Sequence, residues 1–127
     1  MPKIHQEVTL NAPPSKVYQA FIDSKQHAQF TGAPAAIDGS EGGAFSVYGG
    51  QVFGRTLELV PNKRIVQAWR AGNWPEGAYS VLHVELSESG GKTKLVLDHD
   101  AVPESAHEQV SGGWKQMYFD PLKKFLG

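Results

Sequence analysis

Cysteine is missing from the chain altogether, which excludes disulfide bridges and thiol chemistry and leaves the sequence at ease in a reducing compartment. An excess of one charge is missing too. Twelve basic residues against thirteen acidic ones give a formal net charge of −1, which is not the footprint of a protein that binds nucleic acid or an anionic membrane. No apolar run approaches the roughly 18 residues of a membrane span, and the start, Met1-Pro2-Lys3-Ile4-His5-Gln6, has no apolar segment of the signal-peptide kind. A cytoplasmic protein is expected. The patterns that announce common chemistries are absent as well: no Gly-x-Ser-x-Gly elbow, no Gly-rich nucleotide fingerprint and no Walker-type loop. The five histidines, His5, His27, His83, His99 and His107, never stand at i, i+4 spacing. No metal site, cofactor or catalytic group is therefore expected.

What the chain does contain is an ordinary globular composition, 40% hydrophobic and 20% charged over 127 residues, enough for one domain spanning 1–127 with one core. Its organising stretch runs from Glu104 to Leu126. There Val110, Trp114, Met117, Tyr118, Leu122 and Phe125 recur at three- and four-residue spacing, one face of an amphipathic helix, while Lys115, Gln116, Asp120, Lys123 and Lys124 fall on the wet side. Pro121 has no amide to donate, so this helix should kink or open near Met117.

Ahead of it, Lys3 to Leu10 alternates as a half-buried strand. Pro13-Pro14 then opens a short helix with Val17, Tyr18, Phe21 and Ile22 on its apolar face, because proline suits a first turn. A second short helix is expected from Ser24, as its cap, to about Phe30, closed by Gly32 and Pro34. Turn signals then separate strands placed near 35–38, 43–48, 52–60, 64–71, 79–88 and 92–101. The whole reads as α+β, a curved antiparallel sheet gripping the long C-terminal helix. Period-2 parity gives an inward set that includes Phe45, Phe53, Leu57, Trp69, Leu82 and Leu97, and it carries the polar residues Arg55, Gln67 and His99 inward with them.

This order of elements resembles the helix-grip fold of the START-like (SRPBCC, Bet v 1-like) superfamily. Gly42-Gly43-Ala44-Phe45, Val52-Phe53-Gly54 and Leu59-Val60-Pro61-Asn62-Lys63-Arg64-Ile65-Val66 followed by Trp69 are similar to the family of activators of heat-shock-protein-90 ATPase. Asn73-Trp74-Pro75-Glu76-Gly77 and Gly113-Trp114-Lys115-Gln116-Met117-Tyr118-Phe119 resemble the C-terminal domain of those co-chaperones at matching relative positions. The resemblance implies two functions: a cavity for a small hydrophobic or aromatic ligand, and protein contact with a heat-shock-protein-90-type chaperone in a stress response. A polyketide-cyclase-like enzyme ranks third. In two-domain co-chaperones an additional N-terminal domain makes much of the stimulating contact, and this sequence begins at the strand of the second domain, so no stimulation of a chaperone ATPase is expected from it alone.

On the ligand reading, Phe45, Phe53, Arg55, Leu57, Gln67, Trp69, Leu82, Leu97, His99, Trp114, Met117 and Tyr118 line the cavity. The opposing reading is a packed core. His99 is read first as a hydrogen-bonded structural histidine, with general acid or base work as the alternative, since strand alternation sends Asp98 and Asp100 to the other face. Trp74, Pro75 and Glu76 are read two ways, as a lid over the cavity mouth or as a protein-contact surface, because a loop tryptophan is seldom needed for packing.

Overall fold

A computed structural model describes residues 3–126. Strand β1 (Ile4–Leu10) is followed by helices α1 (Pro14–Ile22) and α2 (Ser24–Thr31), then by β2 (Ala36–Ile37), β3 (Ala44–Val47), β4 (Val52–Val60), β5 (Arg64–Ala71), β6 (Ser80–Ser89) and β7 (Lys92–Asp100). The C-terminal helix has three segments: α3 (His107–Gly113), a π-helical turn (Trp114–Phe119) and α4 (Asp120–Leu126). All strands pair antiparallel in the order β1-β7-β6-β5-β4-β3-β2. The helix-grip architecture expected from the sequence is what forms. Among the described residues, no helix is long and apolar enough to cross a membrane.

Local chemistry explains the boundaries. Pro14 stands in the first turn of α1, where its missing amide costs nothing. Helix α2 is capped one residue earlier than expected: the Asp23 carboxylate accepts from the Gln26 amide at 2.9 Å. The Ser24 hydroxyl, the expected cap, instead receives the Ile37 amide at 2.7 Å and pins β2 to the helix pair. Gly32 ends α2 in the left-handed conformation at φ 75°, where a side chain would strain.

Strand β4 corrects the parity. Its register with β5 shifts between Thr56 and Glu58, a bulge that inserts Leu57 and reverses alternation upstream. Leu59 faces the core opposite Ile65, but before the bulge the inward residues are Val52, Gly54 and Thr56 rather than Phe53 and Arg55. Phe53 and Arg55 therefore lie on the outer face, where the Arg55 guanidinium donates to the Gly42 carbonyl at 3.0 Å. Leu57 is 52% exposed. Gly54 is required by closeness: a Cβ there would sit 1.8 Å from the Ala68 carbonyl oxygen and 3.1 Å from the Phe45 ring.

The C-terminal helix brings the second correction. Trp114, Tyr118, Phe119 and Leu122 are buried, while Met117 is 49% and Phe125 38% exposed. A π turn closes i→i+5 bonds, as from the Asp120 amide to the Lys115 carbonyl. Trp114 and Phe119, five apart, thereby share the buried side, and Met117 turns outward.

Candidate functional site

The space between sheet and helix is packed rather than hollow. Phe45, Gln67, Leu82 and Tyr118 surround a void of about 20 Å³, room for about one water molecule. Leu97 and His99 have no exposed surface at all. An aromatic chain fills the middle: Trp69 lies 5.9 Å from Trp114, which lies 4.5 Å from Tyr118, which stacks on Phe21 at 6.1 Å.

His99 is wired into this core. The Trp114 indole N–H donates to His99 Nδ1 at 3.1 Å, so that nitrogen carries a lone pair and the proton resides on Nε2. Nε2 in turn donates to Ser80 Oγ at 2.7 Å, and the Ser80 hydroxyl donates to the Trp69 carbonyl at 2.7 Å. Burial holds the imidazole neutral, its pKa lowered to about 3. Both ring nitrogens are committed, which leaves this histidine no free position for general acid or base work. His27 is also buried and neutral, its pKa lowered by burial to about 4, against the rings of Phe30 and Tyr118 at 4.9 and 5.5 Å.

Open space lies to one side, as a cleft of about 510 Å³ between the C-terminal helix and the open end of the β4–β5 hairpin, where Val52 pairs with Ala71. Trp69, Trp74 and Trp114 form its aromatic floor, and Val52, Ala71, Val110 and Met117 its apolar walls. Gln51, Asn73 and Gln109 are exposed at its rim. Of the residues proposed for a cavity from sequence, the structure brings Trp69, Trp114, Met117 and Tyr118 to this cleft. It sends Phe53, Arg55 and Leu57 outside, and leaves Phe45, Gln67, Leu82, Leu97 and His99 in the packed interior.

Trp74 is no exposed contact residue. It is 7% exposed and packs 5.6 Å from Trp69. Its loop is held from the outer face by Arg70, whose guanidinium donates to the carbonyls of Trp74 at 2.9 Å and Pro75 at 3.1 Å. Pro75 and Glu76 remain exposed. Tyr48, Val52, Ala71 and Val110 were missed in the sequence, as were the three rim carboxamides. The only signal for Tyr48 was the Tyr48-Gly49-Gly50 turn, where Tyr48 takes an unusual φ of 52°.

That tyrosine closes one wall. In an α-helix the Met117 carbonyl would await the amide of residue 121, which is proline, and the Tyr48 phenol donates to it instead. Burial raises the Tyr48 pKa to about 12. Tyr48→Phe should therefore lose about 0.5–1.5 kcal/mol of stability, read by urea unfolding. Adding Pro121→Ala, which restores an amide nearby, should recover part of the loss, and strictly additive losses would show that the phenol does not serve this carbonyl.

A sequence profile of the family described as "Activator of Hsp90 ATPase homolog 1-like protein" matches residues 11–127. The chain belongs to this family. It is 32% identical over 125 residues to the human activator of 90 kDa heat shock protein ATPase homolog 1, a match covering 98% of the chain and 37% of the relative. It is 24% identical to the Hsp90 co-chaperone AHA1 of Saccharomyces cerevisiae, again covering 37% of that protein. The chain thus spans little more than a third of these relatives. Among solved structures, an HSP90 activator from Plasmodium falciparum superposes with a TM-score of 0.93 at 28% identity, covering 98% of this chain and 96% of that one.

Proposed function

We propose that this domain docks on an Hsp90-type chaperone and promotes its ATP turnover. The observation that carries the proposal is the family match, which runs through the C-terminal helix and the Trp74 loop. The Plasmodium falciparum HSP90 activator, which this chain covers almost end to end, supports a role for a domain of this size. The balanced charge and the cysteine-free sequence suit a cytoplasmic setting.

Calorimetric titration into an Hsp90-type chaperone with a non-hydrolysable ATP analogue should give saturable binding, and a coupled assay a saturable rise in ATP turnover. Binding without any rise keeps the docking and removes the activation. Neither at tens of micromolar, on the order of the weaker interactions of signalling proteins, would falsify the proposal.

A second reading, binding of a small hydrophobic or aromatic molecule, is favoured by the cleft, whose volume of about 510 Å³ falls within the range of about 300–1,000 Å³ typical of small-molecule sites.

A further inference from the structure

We propose that the cleft selects an uncharged, flat aromatic molecule carrying a carboxamide-like group. This rests on the ligand reading and narrows it to one chemical class. None of the described residues that line the cleft is an aspartate, glutamate, lysine, arginine or histidine. A carboxylate or ammonium entering it would give up hydration without a counter-ion, and an unpaired charge is far costlier to desolvate than a neutral polar group. Arg55, Gln67 and His99, which would have favoured an acidic ligand, are respectively outside the sheet, against the small interior void, and committed to Ser80 and Trp114.

The floor sets the shape. Trp69 is tilted 36° to Trp114 and 55° to Trp74, with centroids 5.9 and 5.6 Å apart. These are rigid, planar side chains with two rotatable bonds, which reward a flat partner over a flexible chain that must surrender its own conformational freedom. The rim sets the polar group. Gln51, Asn73 and Gln109 each present a carboxamide, able both to donate and to accept, and a ligand amide answers both capacities where a hydrocarbon answers neither. Two other hollows of similar volume lack this neutrality: one of about 490 Å³ is lined by Asp120 and Lys124, and one of about 440 Å³ by Lys63, Arg64, Glu85 and Glu88.

The test is a matched set: 2-naphthamide, 2-naphthoate and decanamide, titrated at pH 7.5 with binding followed by tryptophan fluorescence and by heat. 2-Naphthamide should bind at least about tenfold more tightly than 2-naphthoate, a difference of about 1.4 kcal/mol, and more tightly than decanamide. Met117→Arg places a cation on the half-exposed wall without touching the packed floor. Its thermal melt checks folding, and it should narrow or reverse the preference for the amide over the acid. Equal binding of amide and acid, or a preference for decanamide, overturns this ligand class while leaving a ligand-binding cleft. No binding by any of the three at millimolar concentration overturns the ligand reading itself.

Discussion

Replacing Trp114 with alanine should cost the fold about 3–5 kcal/mol, the range for removing a fully packed aromatic side chain. The indole is 3% exposed and touches Trp69, Tyr118 and Phe119 at centroid distances of 5.9, 4.5 and 6.2 Å. Its removal opens a hole where the helix meets the sheet, and rigid strands on one side leave little room for collapse. It also takes the hydrogen bond away from His99 Nδ1, which has no other donor among the described contacts. Trp114→Phe keeps a six-membered ring but loses the N–H together with the pyrrole half of the indole, so it leaves a smaller hole than alanine does. That variant should fall by more than the about 1–3 kcal/mol of the unmade hydrogen bond and by less than the alanine variant. Urea unfolding monitored by far-ultraviolet circular dichroism measures both. Since a domain of this kind holds about 5–15 kcal/mol in total, the alanine variant should be marginal at 37 °C. A loss below about 1 kcal/mol would mean that the helix is anchored elsewhere.

Acid should unfold the protein well above the pH at which exposed carboxylates protonate. In the unfolded chain each imidazole titrates near 6.5, whereas burial lowers the folded value to about 3 for His99 and about 4 for His27. Between these values the unfolded state binds a proton that the folded state refuses, so stability falls as pH drops from about 6.5 toward 4. The His99 contribution continues to fall toward 3 and is flat below. At about 1.4 kcal/mol per pH unit for each histidine, the two shifts together are on the order of the whole stability of the fold. His5 works in the opposite direction: its hydrogen bonds to Asp98 and Glu7 raise its pKa, so it favours the folded state in acid, but in full solvent its effect is screened. Urea midpoints between pH 7.5 and 4 should decline steeply. In His27→Leu, where an apolar side chain replaces a ring whose Nδ1 has no hydrogen-bond partner among the described residues, the decline should be shallower. Midpoints that do not move between pH 7 and 4.5 would show that neither ring is held neutral.

The sequence carries the architecture in its punctuation. Gly32, the Pro13-Pro14 pair and the strand breaks at Asp38-Gly39, Pro61-Asn62 and Gly90-Gly91 act within a few residues, and they placed the elements to within a residue or two. The bulge at Leu57 was illegible because Val52 to Val60 reads as an unbroken strand, and only pairing with β5 reveals the inserted residue. That one residue put Arg55 on the wrong face and with it a charged anchor in the site. His99 could be read as inward from parity, but its donor lies 15 residues away on another element, and no local pattern encodes that meeting. Pro121 did announce a disturbance near Met117. It could not say that the remedy would come from Tyr48, 69 positions upstream. The rim carboxamides left no trace, since exposed Gln and Asn in loops are ordinary.

A π turn amounts to one residue more than an α-helix needs to cover the same rise, so the turn at Trp114–Phe119 sets the phase between the two ends of the C-terminal helix. Downstream, Leu122 is fixed in the core; upstream, Val110 and Gln109 face the cleft. Winding the same residues as regular α-helix, without this turn, would rotate everything before it by about 100° relative to everything after it. Val110 and Gln109 would then leave the cleft even though neither had been changed. Deleting one residue from the turn, by contrast, would let the helix wind regularly over the same rise and keep its two ends in phase, so an alignment that places a gap there marks a trimmed bulge beside the same three tryptophans rather than a change of recognition.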